Sequence, residues 1–269
     1  MVSLNSMKKL AFIICFFTVG YNVYSQSVYT CDPAKDFFFS MLSLSLLGVS
    51  YSVPGSTNSI PDELNRNDIN FFDRGLMFPE DETLHNIRDI VRNGIPVLTI
   101  ITPLTVWGLG GWKFEKKDFD TWLTYGIMYS QAAAFTFGTI EILKKTVTRY
   151  RPRSYFDNSA GTLISNDCFP SDTTAFSFLA STLLSVTFSA EFPDSPWKIP
   201  VIAGSYALAT GIGVIGVISG MHFLTDVLAG AAIGSLYGWL MPFLHRRSDI
   251  DNKISFYFDG NWGIVSIKY

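Results

Sequence analysis

The sequence predicts an all-α protein: a bundle of six hydrophobic helices, embedded in a membrane, followed by a short C-terminal β-hairpin. Three observations carry this expectation. Of 269 residues, 48% are hydrophobic and only 16% are charged, against about 25% charged in an ordinary soluble domain. Mean hydropathy is +0.25. The charges are also spaced so that long uncharged stretches lie between them, each close to or beyond the roughly 18 residues of a spanning helix. Many of these stretches are rich in Ser, Thr, Gln and Tyr, so an exported soluble or peripheral bundle is the alternative. The net charge of −3 and the lack of any basic tract beyond one short cluster exclude a nucleic-acid partner.

The elements follow in order. Lys8 and Lys9 precede an apolar run from Leu10 to Val19, and Val23 and Ser25 suit the −3 and −1 positions of a cleavage site before Gln26. Residues 1–25 therefore read as a signal peptide, with an uncleaved anchor helix as the alternative. Cys15 lies inside the apolar run without the small residues of a lipidation box, which excludes a lipoprotein. Cleavage leaves Cys31 and Cys168, which either pair in an oxidising compartment or stay as two buried thiols.

The main domain spans residues 26–248. Its uncharged stretches are bounded by Asp36 and Asp62, Arg92 and Lys113, Asp120 and Glu141, Asp172 and Glu191, Lys198 and His222, and Asp226 and His245. Gly and Pro inside them suit membrane or bundle-buried helices better than solvent-facing ones. "SYSVPGSTNSIPD" at 50–62 is a loop by composition. The polar, acidic stretch 63–93 is too long for a turn and predicts a short helix or cap over the bundle. Residues 249–269 form a tail of different character. "ISFYF" and "IVSIKY" flank Asp259-Gly260, a hairpin pattern.

Three clusters at helix ends carry the chemistry. "KKTVTRYRPRSYF" closes the third helix with Lys144, Lys145, Arg149, Arg151 and Arg153. Standing alone it would complement a helix C-terminus or mark the cytoplasmic side. But Pro152 stiffens the chain after Arg151, and Lys144 lies two helical turns earlier on the same face. Two fixed cations facing one pocket suit a phosphate. "FPSDTTAF" at 169–176 opens a helix, and Ser171 with the free backbone N–H groups there is either an ordinary cap or an anion cradle. "SGMHFLTDVLAG" at 219–230 sets His222 and Asp226 four residues apart. On a helix they would face each other, the carboxylate fixing the imidazole tautomer and activating the other nitrogen.

Together the clusters resemble the three-part signature of the type 2 phosphatidic acid phosphatase and vanadium haloperoxidase superfamily. That signature reads Lys, six residues, Arg-Pro; then Pro-Ser-Gly-His-Thr; then Ser-Arg, five residues, His, three residues, Asp. Lys144, Arg151 and Pro152 match the first part; Phe169, Pro170, Ser171, Thr174 and Ala175 the second; His222 and Asp226 the third. The resemblance covers residues 37–245. It implies a six-helix bundle with the site at one end. Lys144, Arg151 and Ser171 would bind phosphoryl oxygens, His222 would attack phosphorus, and Asp226 would orient it. It implies no cofactor for a phosphatase, whereas haloperoxidases hold vanadate in the same cradle. The implied partners are a phosphorylated lipid or small phosphomonoester and the membrane lipids around it.

The chain departs from the family at four positions, one of them Ile215 in place of the serine before the arginine. Thr173 stands where the family has the histidine that protonates the leaving oxygen, Asp172 replaces the glycine before it, and Gly216 replaces the arginine six residues before His222. A positioned general acid contributes about 10²–10⁴-fold, and a cation on the phosphoryl group commonly a few kcal/mol. Arg149 and Arg153 are the candidates to replace the lost arginine. Two expectations follow: an altered phosphatase working through a phosphohistidine, or a catalytically silent relative that binds phosphate or lipid headgroups or serves as a scaffold. Export to the envelope, an inner-membrane position and a site facing the periplasm fit the acidic stretch outside and "HRR" at 245–247 inside.

Overall fold

The computed structural model describes residues 28–55, 64–90, 94, 116–156, 166–247, 254–259 and 262–267. The signal-peptide expectation for residues 1–25, and the helix expected between Arg92 and Lys113, lie outside them.

The fold is all-α. Helix α1 spans Pro33–Ser52, α2 is a single turn at Phe71–Arg74, and α3 covers residues 82–90. The long helix α4 runs Lys116–Thr146, followed by α5 (Asp172–Glu191), α6 (Lys198–Ile218) and α7 (Leu224–His245). Starts are set by side chains that accept from otherwise unsatisfied backbone N–H groups. Asp32 caps α1 through Ala34 N and Lys35 N at 2.9 and 3.0 Å, with Pro33 in the first turn. Asp81 accepts from Leu84 N at 2.9 Å at the start of α3. Strands β1 (Ile254–Asp259) and β2 (Trp262–Ile267) pair antiparallel, Tyr257 opposite Ile264.

The core lies between α4, α5 and α7, where Tyr125, Met128, Tyr129, Ala132 and Phe135 pack on Leu179, Leu183 and Met241. Helices α5 and α7 form the most extensive pair. Glycine makes this contact possible. A Cβ on Gly230 would lie 2.4 Å from Ser171 O, one on Gly234 1.9 Å from Ala175 O, and one on Gly238 2.8 Å from Thr182 Cβ. The backbones touch directly, which no larger residue on α7 permits. Three helices, α5, α6 and α7, are long and apolar enough to cross a membrane among the described residues. Ile199, Leu208, Leu228, Leu236 and Phe243 are all more than half exposed. Such outward apolar faces suit lipid.

Helices α4, α5, α6 and α7 alternate in direction, as Tyr129 facing Thr187, Ser181 facing Ser205 and Gly234 facing Ala175 show, so two ends form. At one end the N-terminal segment pairs with the exit of α7: Thr30 N donates to His245 O at 2.9 Å and Arg247 N to Val28 O at 2.9 Å. His245 Nε2 lies 2.6 Å from Asp36 Oδ1, both buried, and Lys35 Nζ bonds Leu244 O. At the other end lie the C-terminus of α4 and the N-termini of α5 and α7. The segment from Asn65 to residue 90 covers this second end as the expected cap.

Of the two alternatives for Cys31 and Cys168, the structure has the separate thiols and not the disulfide. Cys31 sits at the His245 end and Cys168 beside Asp226, the other end of α7; both are free thiols. The 22 residues of α7 hold them on the order of 30 Å apart, where a disulfide needs Cα atoms within about 7 Å. Hydrogen bonds at His245 pin the N-terminal segment instead.

Candidate active site

Helix α4 ends at Thr146, so Lys144 and Arg151 do not share a helical face. Lys144 belongs to the last turn, and Arg151 to an extended stretch after it. That stretch is fixed by Arg149 N to Asn166 O and Cys168 N to Arg149 O, both 3.1 Å. The two cations converge on the same end of the bundle all the same. Lys144 Nζ donates to Asp172 Oδ2 at 2.9 Å. Arg151 Nη2 donates to Asp167 Oδ1 at 2.9 Å, and its Nη1 lies 3.4 Å from Met221 O.

Ser171 caps α5. Its hydroxyl accepts from Thr174 N at 3.4 Å and pairs with Thr174 Oγ1 at 2.9 Å, while Ser171 N donates to Asp226 O at 3.0 Å. Of the two sequence alternatives for Ser171, the structure shows the cap. Asp172 Oδ1 accepts from Thr173 N at 2.7 Å and Thr173 Oγ1 at 3.2 Å. The Thr173 hydroxyl is thus engaged with a carboxylate, where the family has a proton-donating imidazole.

His222 precedes α7 in a tight turn and is fully buried. The turn depends on Gly220, whose φ of 71° is left-handed and whose Cβ would lie 2.6 Å from Phe78 O and 2.7 Å from Pro79 O. Because His222 is outside the helix, the direct bond to Asp226 expected from their spacing does not form: Nδ1 is 3.9 Å from Asp226 Oδ2. Nδ1 instead lies 2.9 Å from the Cys168 carbonyl oxygen. A carbonyl only accepts, so Nδ1 carries the proton and Nε2 presents its lone pair. Asp226 acts one step away. Its Oδ2 accepts from Cys168 Sγ at 2.9 Å and from Phe223 N at 2.7 Å, holding both the residue that bonds Nδ1 and the residue after His222.

Arg149 and Arg153 do not take the place of the lost arginine. Arg149 bonds Asp226 and Asp73, and its guanidinium lies 4.3 Å over the Phe223 ring. Arg153 bonds Glu80. The cation beside His222 is Arg88, on α3 of the cap. Its Nη2 lies 3.1 Å from His222 Nε2 and 3.9 Å from Asp172 Oδ1, and the residue is 3% exposed. Sequence reasoning missed Arg88 because no spacing ties it to the three clusters. The available signal was its place in a polar segment already expected to cover the bundle. Asp73 was missed likewise; it accepts from Thr225 N at 3.0 Å and ties the cap to α7.

The electrostatics suit an anion and a neutral imidazole. Burial pushes the His222 imidazole down to about 4, Arg151 and Arg88 adding to the effect and Asp226 opposing it. Burial raises the Cys168 thiol, and Asp226 raises it further, so it stays a protonated donor. Burial would lower the Arg149 and Arg151 guanidinium groups, but Asp226 and Asp73 for the first, and Asp167 for the second, outweigh it and keep both charged. Cys168, His222 and Asp226 offer ligand atoms within 4.8 Å of one another. This trio suits a cation poorly, since Arg149 already holds Asp226 and Arg88 lies against His222.

Residues 123–249 match the model of the PAP2 superfamily. A lipid A 1-phosphatase of Porphyromonas gingivalis is 27% identical over 177 residues, 64% of this chain and 35% of that protein, so the chain spans about a third of that relative's length. A transmembrane PAP2-type phosphatidylglycerolphosphate phosphatase from Bacillus subtilis aligns with a TM-score of 0.43 at 19% identity, over 77% of this chain and 94% of that one. The matched residues, which are similar to the PAP2 superfamily, hold Lys144, Arg151, Ser171, His222 and Asp226 in the order of its signature.

Proposed function

We propose that the protein is a membrane phosphatase that removes phosphate from phosphorylated lipids, with His222 as nucleophile. One observation carries the reading most: His222 presents an unprotonated, buried Nε2 3.1 Å from Arg88 Nη2, at the end of the bundle where Lys144 and Arg151 also lie. In this reading Nε2 forms a bond to phosphorus while the bond from phosphorus to the lipid oxygen breaks. Water then attacks the phosphohistidine and releases inorganic phosphate, regenerating the imidazole. Lys144, Arg151 and the N-terminus of α5 at Ser171 bind the phosphoryl oxygens, and Cys168 and Asp226 position the ring. The relative from P. gingivalis, named for lipid A, supports a lipid substrate. With Thr173 in the acid position, the leaving oxygen takes its proton from water. Aryl phosphates and diphosphates should therefore turn over faster than alkyl phosphates.

The orientation reading keeps the site on the periplasmic face of an inner membrane, since Arg246 and Arg247 lie at the opposite end of α7. A cysteine placed at exposed Phe71 should label in intact cells; labelling only after permeabilisation would reverse the orientation.

A second reading is a silent phosphate-binding relative, favoured by the Asp172–Lys144 pair and by Thr173. Phosphate release by purified protein in detergent separates the two. Release from phosphatidic acid, lipid A or p-nitrophenyl phosphate that vanishes in His222→Ala supports the enzyme. No release from any of them, with inorganic phosphate still bound, supports the silent reading.

A further inference from the structure

We propose that Arg88 is the phosphoryl-binding cation that this chain uses in place of the arginine its relatives carry before the nucleophile. The inference rests on the phosphate-binding reading of the site and deepens it.

The family position is Gly216, on the last turns of α6. It is not remote from the site. Its carbonyl accepts from His222 N at 3.0 Å, and a Cβ built on it would lie 3.7 Å from His222 Cδ2. A side chain there would run along the imidazole. The glycine leaves that flank empty of charge, and a guanidinium arrives from the cap instead. Arg88 Nη2 stands 3.1 Å from Nε2, the atom that would meet phosphorus, and 3.9 Å from Asp172 Oδ1.

Asp172 indicates where an anion sits. Its carboxylate accepts from Lys144 Nζ and from Thr173 N in the first turn of α5, the two kinds of donor a phosphate would use. Arg88 thus touches the nucleophile on one side and lies near an anion position on the other. On substrate binding its N–H groups transfer from Nε2 to the phosphoryl oxygens, which also releases the nucleophile's lone pair. Arg88 also pairs with Asp89 through Nη1 at 3.4 Å, which leaves Nη2 as the part of the guanidinium that faces His222 and Asp172. The loss at position 216 and the charge at position 88 then form one exchange: the same cation, supplied by a covering segment instead of a bundle helix.

The experiment uses the full-length protein in detergent, with two readouts. Binding of inorganic phosphate and of orthovanadate is measured by calorimetry, and phosphate release by turnover. Arg88→Gln should weaken phosphate and vanadate at least tenfold at an unchanged thermal midpoint, and lower kcat/KM by about 10²–10³-fold. Arg88→Lys, which keeps the charge, should recover part of both. Gly216→Arg in the Arg88→Gln background should restore binding. Wild-type affinity in Arg88→Gln, or equal losses in the Gln and Lys variants, would overturn the proposal. If wild type binds phosphate but releases none from any lipid, the enzyme reading fails while the calorimetric comparison still decides the role of Arg88.

Discussion

Replacing Asp172 by Asn should make the protein bind phosphate more tightly. The carboxylate lies 2.9 Å from Lys144 Nζ, and its side chain is 17% exposed. A phosphate using the same lysine and the same helix start must come within about 5 Å of it. At an effective dielectric near 20, two unit charges at that distance repel by about 3 kcal/mol. Part of this is returned, because Asp172 also keeps Lys144 and Arg88 in position. A net gain of about 1.5–3 kcal/mol corresponds to roughly 10- to 100-fold in affinity. Asn keeps the size and the oxygen that accepts from Thr173 N, so α5 should start where it does now. The assay is calorimetric titration with inorganic phosphate, alongside KM for a lipid phosphate if turnover is present. Unchanged or weaker binding in Asp172→Asn would refute the reasoning, and would make Asp172 a member of the binding site instead of its competitor.

Three further outcomes are expected. With His222 held at about 4 against an ordinary 6.5, the imidazole stays neutral down to that pH, so the acid limb of kcat/KM, corrected for substrate ionisation, should break near 4. The same shift makes stability rise with pH between about 4 and 6.5, because the unfolded chain binds the proton there and the folded one does not; an acid limb near 6.5 would contradict the burial argument. Gly234→Ala should destabilise by more than about 3 kcal/mol, since its Cβ would stand 1.9 Å from the Ala175 carbonyl oxygen. Gly211→Ala, with nothing within 4 Å, should leave the thermal midpoint in detergent unchanged, and equal effects of the two would refute the close α5–α7 contact.

The sequence made the bundle legible where charges punctuate apolar runs: Asp172, Glu191, Lys198 and His245 are also helix ends in the structure. It also made the convergence of Lys144, Ser171 and His222 legible, because helix ends are marked by Pro, Ser and charge. It misjudged links that depend on where a helix stops. Arg151 reaches the site from an extended stretch after Thr146, and His222 sits before α7, so the four-residue spacing to Asp226 is not a helical turn. The cysteines looked available to each other because sequence distance says nothing about which end of α7 each one meets. Arg88 was illegible for the same reason: its burial against Nε2 is a tertiary fact without local periodicity.

The central claim is that His222 Nε2 bonds to phosphorus. The most direct measurement is to mix the purified protein with a phosphorylated lipid, quench rapidly in alkali, where phosphohistidine survives, and map the modified peptide by mass spectrometry. The account predicts phosphate on His222, absent in His222→Ala. Turnover that persists in that variant, or phosphate on another residue, would contradict it.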